Sequence, residues 1–199
     1  LYDYNATNSK KRRISKRVCS RRSAIVQVRE AHWLLCHRTR TAHFRLTEMA
    51  HNKRHPLTLH RLRVIFRELG PKLRCNHPVD IGGTFLVEVC RARHVSESVI
   101  VSCVRELIEK RGSLPDVASG IGPGNNGVGG LTPLCIAAAR GMSSVVRYLL
   151  KAGASPGLRG TGRFRLFCNG AKSIHCRNVS PLQFAKAMMD AEKTEGADV

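Results

Sequence analysis

The stretch GLTPLCIAAARGMSSVVRYLLKAGAS, residues 130–155, constrains the fold of this chain more than any other part. Thr132 and Pro133 favour the N-cap and the first position of a helix, and Gly141 favours the end of that helix about two turns later. A second helix follows and is predicted to stop at Gly153. Because two short helices cannot bury a core alone, this pair is expected to stack against neighbours.

Apolar side chains recur at helical spacing in both predicted helices. Residues at positions i, i+3 and i+4 lie on one side of a helix. The apolar faces consist of Leu134, Ala137 and Ala138 in the first helix and of Val145, Val146, Leu149 and Leu150 in the second.

The first helix of this pair has two counterparts in the chain, each 48 residues away. The segments GGTFLVEVC, LTPLCIAAA and VSPLQFAKA share a cap residue, an apolar residue and a small residue at matching positions. These positions are Thr84, Thr132 and Ser180, then Leu86, Leu134 and Leu182, then Val89, Ala137 and Ala185. The sequence therefore predicts three related units.

The central unit resembles the ankyrin repeat, whose first helix carries the pattern T-P-L-H-x-A-A and whose period is near 33 residues. Cys135 stands where the family has His, so the hydrogen bonds of that His are not expected. A step of 48 exceeds the family period by about 15 residues. The resemblance implies an all-α, ankyrin-like helical repeat solenoid. The spacing places the extra residues in long fingers, one of which is predicted to be a β-hairpin.

The predicted division of the chain has two parts. Residues 1–56 are expected to form a basic, partly disordered N-terminal extension, and residues 57–199 an ankyrin-like repeat domain. The units of that domain are predicted near 83–116, 130–156 and 179–199.

The segment LTLHRLRVIFRELGP upstream of the first unit has apolar residues at helical spacing and a Gly70-Pro71 stop signal. It is predicted to be a half-repeat or a capping helix, although the alternation of Leu57 and Leu59 also allows a strand. In the first unit the longer helix-to-helix connection is expected near His94–Ser98.

The hairpin is predicted in the segment RFRLFCNGAKSIHC. Asn169-Gly170 is the preferred centre of a two-residue type I′ turn, in which Cys168 pairs with Ala171. One face of this hairpin would carry Arg163, Arg165 and Lys172 together with Phe167 and Ile174. This cationic face either docks an acidic partner or is the solvated side of the hairpin.

Neither of two further motifs supports a cofactor or metal. Gly122, Gly124 and Gly127 match G-x-G-x-x-G, but no apolar strand precedes them, so a flexible finger is the favoured interpretation. Cys168, His175 and Cys176 offer three metal ligands without a spaced fourth.

The histidines of residues 31–60 are expected on solvated helix faces. They lack the spacing of a metal site, and they include His32, His37, His43 and His51. The eight cysteines do not suggest disulfides, because Cys90, Cys103 and Cys135 sit in apolar helical patterns where Cys acts as a small hydrophobe. A reducing compartment follows, either cytoplasmic or nuclear.

The net charge of +20 lies mostly in the first part of the chain. Residues 1–80 carry 19 Lys and Arg against 5 Asp and Glu, a net of +14. The densest run, SKKRRISKRVCSRR, contains Lys10, Lys11, Arg12, Arg13, Lys16, Arg17, Arg21 and Arg22. Such a run suits nuclear targeting or polyanion binding, and otherwise serves as a solubilising tail.

The resemblance implies a non-enzymatic scaffold that binds another protein across the fingers and the exposed face of each first helix. Carried over, the helix positions are Arg91, Ala92, Ala139, Arg140, Ala187 and Met188, and the finger positions are Arg159, Arg163 and Arg165. An Arg-rich set predicts a partner with an acidic surface. The alternative is a nucleic-acid-associated protein that binds through the basic run. No catalytic constellation, cofactor motif or apolar run of membrane-spanning length is present in the sequence, and a monomer is expected.

Overall fold

The computed structural model describes residues 30–70, 73, 75–76, 83–118, 130–165 and 173–195. The basic run of residues 9–22, the G-x-G-x-x-G motif and the Asn169-Gly170 turn lie outside the described residues. Among the strand and terminal-helix residues, the side chains of 162–165, 173–175 and 191–195 also lie outside them.

Helices dominate the described chain, and a small antiparallel two-stranded sheet precedes the last of them. The elements are α1 (30–51), α2 (Leu59–Leu69), α3 (Phe85–Arg91), α4 (Glu97–Arg105), a π-helical segment that continues α4 (Glu106–Lys110), α5 (Pro133–Ala139), α6 (Ser143–Lys151), β1 (Gly160–Arg165), β2 (Ser173–Val179) and α7 (Pro181–Glu195).

The helices form two layers. In one layer α5 packs between α3 and α7, and in the other α4 packs between α2 and α6. Contacts between α3 and α4, and between α5 and α6, join the layers into helix pairs. The predicted helix pair of residues 130–155 therefore stacks against neighbours on both sides.

The predicted caps of the first helices are confirmed. Thr84, Thr132 and Ser180 each accept a hydrogen bond from the backbone N–H three residues later, at 3.4, 3.1 and 3.3 Å. Gln183 also accepts from the backbone N–H of Ser180 at 2.9 Å, which completes a reciprocal capping box. These side chains satisfy N–H groups that a helix start otherwise leaves unpaired.

The three matching leucines differ in burial. Leu86 and Leu134 are 1% and 2% exposed, whereas Leu182 is 80% exposed. The first two lie on α3 and α5, each of which packs against several neighbouring helices. Among the described elements, none covers the side of α7 that carries Leu182. Leu150 on α6 is likewise exposed, although it was predicted to share the apolar face of Val145 and Leu149.

A further helix pair, α1 with α2, precedes the first predicted unit. The helix prediction for α2 is confirmed, since it ends at Gly70 and buries Leu62, Ile65 and Phe66. Arg45 of α1 forms an ion pair with Glu68 of α2 at 2.5 Å.

The second half of α1 also joins the core beside α3. Its residues Ala42, Leu46 and Ala50 are fully buried. The carbonyl oxygen of Ala50 accepts a hydrogen bond from the backbone N–H of Arg93, just after α3, at 2.6 Å. The boundary at residues 56 and 57 stays a prediction, but α1 shares its core with the helices that follow it.

His43 corrects the expectation that the histidines of this region lie on solvated faces. It is buried, and its Nε2 lies 2.6 Å from the carbonyl oxygen of Gly83. Its ring meets the ring of Phe85 edge to face, with the centroids 5.9 Å apart. His43 is buried because the face of α1 that carries it packs on the start of α3.

The first unit is longer than the second mainly because of the π-helical segment. The connection between α3 and α4 spans residues 92–96, against 140–142 between α5 and α6, so the predicted longer connection is present. However, α4 and α6 both have nine residues, and five π-helical residues follow α4 alone. Gly112 then ends the segment at a positive φ of 65°.

The hairpin forms as predicted at its base, but its register is shifted above it. The predicted register pairs Gly160 with Val179, as observed, and would pair Arg163 with Cys176. Instead Arg163 pairs with His175, because β2 holds one more residue than β1 at a bulge around Asn178. Asn178 has a φ of 50°, and its backbone N–H donates to Thr161 Oγ1 at 2.9 Å.

Gly160 sets how closely the hairpin approaches the central unit. A Cβ at this position would lie 3.0 Å from the carbonyl oxygen of Gly130 and 3.2 Å from Leu131 Cα. Both are backbone atoms that cannot rotate away. A glycine is therefore needed where β1 crosses the segment that leads into α5.

The N-terminus of α6 is capped by the preceding unit. Its own N-cap residue, Met142, makes no side-chain capping hydrogen bond. Instead Glu97 Oε1, at the start of α4, accepts from the backbone N–H groups of Ser144 and Val145 at 2.5 and 3.3 Å. A carboxylate at a helix N-terminus also interacts favourably with the helix dipole.

We predict that Glu97→Ala lowers the free energy of unfolding by about 1 kcal/mol, the usual cost of losing an N-cap. The measurement is urea denaturation followed by circular dichroism. Glu48→Ala, which removes an exposed carboxylate from α1, is the matched control and should change stability little. Equal stability of the two variants would contradict this role of Glu97.

The cysteines predicted to act as small hydrophobes are buried. Cys90, Cys103 and Cys135 lie in the core, and the six described cysteines are free. Burial raises the pKa of the Cys90 and Cys103 thiols to about 12, and it also raises the pKa of Cys135. Cys36 on α1 is exposed.

Because the thiolate is the reactive form, we predict that iodoacetamide modifies Cys36 in the folded protein at pH 8 and leaves Cys90, Cys103 and Cys135 unmodified. Peptide mass spectrometry measures each site. Denatured protein labelled under the same conditions serves as the control, and all four cysteines should react there. Modification of the three core cysteines at the rate of Cys36 would show that this core is not formed.

Candidate protein-interaction surface

The first helices α3 and α5 place arginines at their C-terminal ends. Arg91 is the last residue of α3, and Arg140 follows α5 directly. A cation at this end of a helix interacts favourably with the helix dipole. Since α3 and α5 pack side by side, these ends belong to neighbouring units on one side of the molecule.

Arg140 joins the two units. Its Nη1 donates a hydrogen bond to the carbonyl oxygen of Cys90 in α3 at 2.6 Å. Burial lowers the pKa of Arg140, and the nearby charge of Arg93 lowers it further. Arg140 thus satisfies a carbonyl at the end of α3 while its positive charge is held partly out of water.

The carboxylate of Glu88 balances part of the positive charge of these arginines. This buried carboxylate accepts a hydrogen bond from Arg91 Nη1 at 3.2 Å and another from the backbone N–H of Gly83 at 3.2 Å. Its other oxygen lies 3.9 Å from His51 Nε2, at the end of α1. Arg91 nevertheless keeps a quarter of its side chain exposed.

His51 reports the electrostatics of this region. Its pKa is lowered mainly by burial, then by the positive charges of Arg93, Arg91 and Arg140, while Glu88 opposes the shift. The positive charges of the three arginines are therefore all close enough to lower the pKa of His51. We name Arg91, Arg93, Arg140 and His51 the arginine cluster.

The sequence identified half of this cluster. Arg91 and Arg140 were predicted, whereas Arg93 and His51 were missed. Arg93 follows Arg91 by two residues, and a scan for cations just beyond the first helices would have found it. His51 could not be found in this way, because its place depends on α1 packing beside α3.

Three of the residues carried over to this surface are not exposed. Ala92, Ala139 and Met188 are buried, so the prediction of their exposure is wrong. All three belong to the buried hydrophobic core. Ala187 is half-buried.

The finger arginines occupy the hairpin and its base. Arg159 Nη1 donates to the carbonyl oxygen of Asn178 at 2.9 Å and lies 3.4 Å from Gln183 Oε1, so it ties the hairpin to α7. Arg163 and Arg165 lie on β1, paired with His175 and Ser173. Because of the shifted register, Arg165 is not paired with Ile174, as the predicted cationic face required.

The described residues contain no group of three His, Cys, Asp or Glu side chains that could hold a metal ion. Of the three candidate ligands, Cys176 is buried near Cys135, and Cys168 lies outside the described residues. No helix within the described ranges is long and apolar enough to cross a membrane.

Comparison with known families bears on the central helix pair. Residues 129–161, which include α5, α6 and the start of β1, match the family model of the ankyrin repeat. No curated protein and no solved structure matches the chain. Ankyrin repeats are modules that bind other proteins and are typically non-enzymatic. Residues 129–161 are therefore the part of this chain that the ankyrin-repeat family model identifies, and they correspond to one repeat.

Proposed function

We propose that this chain is a non-enzymatic scaffold that binds the acidic surface of another protein through the arginine cluster. The observation that carries the proposal is the position of this cluster at the ends of two neighbouring first helices, one of them in the matched ankyrin repeat. We propose that the helices form a short solenoid with units near 83–116, 130–156 and 179–199, as the sequence predicts, and that α7 is the described helix of the last unit.

The charge of the cluster supports an acidic partner. Three guanidinium groups stand against one carboxylate, Glu88, which is buried and already engaged by Arg91 and Gly83. Partly buried arginines lose little side-chain entropy on binding and form charge-assisted hydrogen bonds with carboxylates. Such arginines are typical hot spots at the centre of protein interfaces.

The site of action proposed is the cytoplasm or the nucleus, and the chain is proposed to act as a monomer. The buried free thiols suit a reducing compartment. The roles of Arg159, Arg163 and Arg165 are secondary in this proposal, since Arg159 is engaged with Asn178.

We predict that Arg91→Gln reduces the capture of protein partners about tenfold, the loss expected when one charge-assisted hydrogen bond is removed from an interface. The chain of residues 1–199, immobilised on beads, is incubated with nuclease-treated lysate, and bound proteins are quantified by mass spectrometry. The replacement side chain keeps a hydrogen-bond donor at the end of α3, and the fold is expected to be retained. Arg140 is left unchanged because it also joins α5 to α3.

Arg147→Gln is the matched control for Arg91→Gln. Arg147 is exposed on α6, in the other helix layer, and its replacement removes the same charge. Partners that depend on the arginine cluster should be lost with Arg91→Gln and kept with Arg147→Gln. If both variants capture the same proteins in the same amounts as the unchanged chain, the cluster is not the binding surface.

The second candidate function is nucleic-acid association through the basic run of residues 9–22. Eight Lys and Arg side chains in this run favour it, because each contacted phosphate releases counterions. We predict that the logarithm of the binding constant for DNA falls steeply with the logarithm of salt concentration, and that deletion of residues 9–22 removes this dependence. Protein partners held by the arginine cluster should survive the deletion. An unchanged salt slope would exclude the run as the nucleic-acid site.

A further inference from the structure

A groove of about 740 Å³ lies in the second layer, between α2 and the π-helical end of α4. This volume is within the usual range for ligand sites. The groove is open to solvent, and it is lined by Arg63, Phe66, Arg67, Glu106, Lys110 and Arg111.

The lining carries four positive charges against one negative charge, a net of +3. The one carboxylate, Glu106, is buried and fully engaged. Its Oε2 accepts from Arg63 Nε and Nη2 at 3.0 and 2.9 Å, and its Oε1 accepts from Arg111 Nη2 at 3.3 Å. Glu106 thereby orients two guanidinium groups in the wall of the groove without neutralising both.

The other two cations of the groove, Arg67 and Lys110, are exposed. In the part of the chain that the structure describes, neither of them forms an ion pair. Like charges that converge on one groove repel one another, so this arrangement costs stability unless an anion is bound.

Local backbone and packing hold Arg111 in place. The π-helical segment Glu106–Lys110 widens the last turn of α4 and leads directly into Arg111. The guanidinium carbon of Arg111 lies 4.4 Å from the centre of the Phe66 ring, and Arg111 Nε is buried without a hydrogen-bond acceptor. Single π-helical turns of this kind often occur at functional sites.

We infer that this groove binds a phosphate monoester carried by a ligand. A carboxylate would supply one negative charge against +3, whereas a phosphate monoester supplies about two and three acceptor oxygens. Guanidinium forks bind phosphate through paired hydrogen bonds, and Lys110 adds a point charge. The site belongs to the second helix layer and is independent of the arginine cluster.

The test uses the full chain and a fluorescent peptide, Gly-Gly-phosphoserine-Gly-Gly, followed by anisotropy at constant ionic strength. The double variant Arg67→Gln/Lys110→Gln should raise the dissociation constant about tenfold, because charge-assisted hydrogen bonds are lost. The control Arg147→Gln/Lys151→Gln removes the same two charges from exposed positions on α6. It should change the dissociation constant less than about twofold if binding is local rather than due to net charge.

Equal weakening by the two double variants, or no effect of Arg67→Gln/Lys110→Gln, would overturn the inference. Loss of peptide binding with Arg91→Gln would overturn it as well, because it would assign the phosphate to the arginine cluster. Competition by inorganic phosphate identifies the source of the ligand. If inorganic phosphate binds as tightly as the peptide, the groove takes free phosphate compounds, and if it binds much more weakly, the groove takes phosphorylated protein segments.

Discussion

The structure depends on the burial of α5 from both sides. This helix has seven residues, and six of them are buried because α3, α6 and α7 surround it. Small side chains such as Ala137 let the first helices approach closely, so no single pair has an independent core. The order of the array therefore follows from packing between pairs rather than from the stability of any one helix.

Polar contacts fix how consecutive pairs sit against each other. Glu97 of one pair caps α6 of the next, and Arg140 returns a hydrogen bond from α5 to α3. In the second layer Arg63 of α2 reaches Glu106 at the end of α4. Several arginines of the two proposed binding surfaces thus also form the contacts between neighbouring helices. These contacts position the arginines before any partner binds.

Local signals in the sequence were sufficient to predict where the first helices of the three units begin, and to predict α2. The caps at Thr84, Thr132 and Ser180 and the helix α2 follow from residue preferences that act within one turn. The pair α1–α2 was missed because α1 has no comparable start signal among its many His and Arg residues. Its burial depends on the long-range contacts of Ala50 and His43 with the α3 region.

The other differences also have long-range causes. The bulge at Asn178 shifts the hairpin register, and a rule based on the turn alone cannot foresee it. Met188 was placed on the exposed face by analogy, but α7 rotates it into the core. The groove beside Phe66 is lined partly by the π-helical segment, and no local sequence pattern predicts that segment. Half of the arginine cluster was predicted, and His51 was missed because it comes from a helix whose place was unknown.

Hydrogen exchange measured by mass spectrometry tests most directly whether the helix pairs form one stack around α5. We predict that amides in α3, α5 and the second half of α1 exchange slowly and at similar rates, through unfolding of the whole stack. The exposed first turns of α1 should exchange fast. If α5 exchanged faster than α3, or if residues 42–50 exchanged as in an unfolded peptide, the stack described by these contacts would be contradicted.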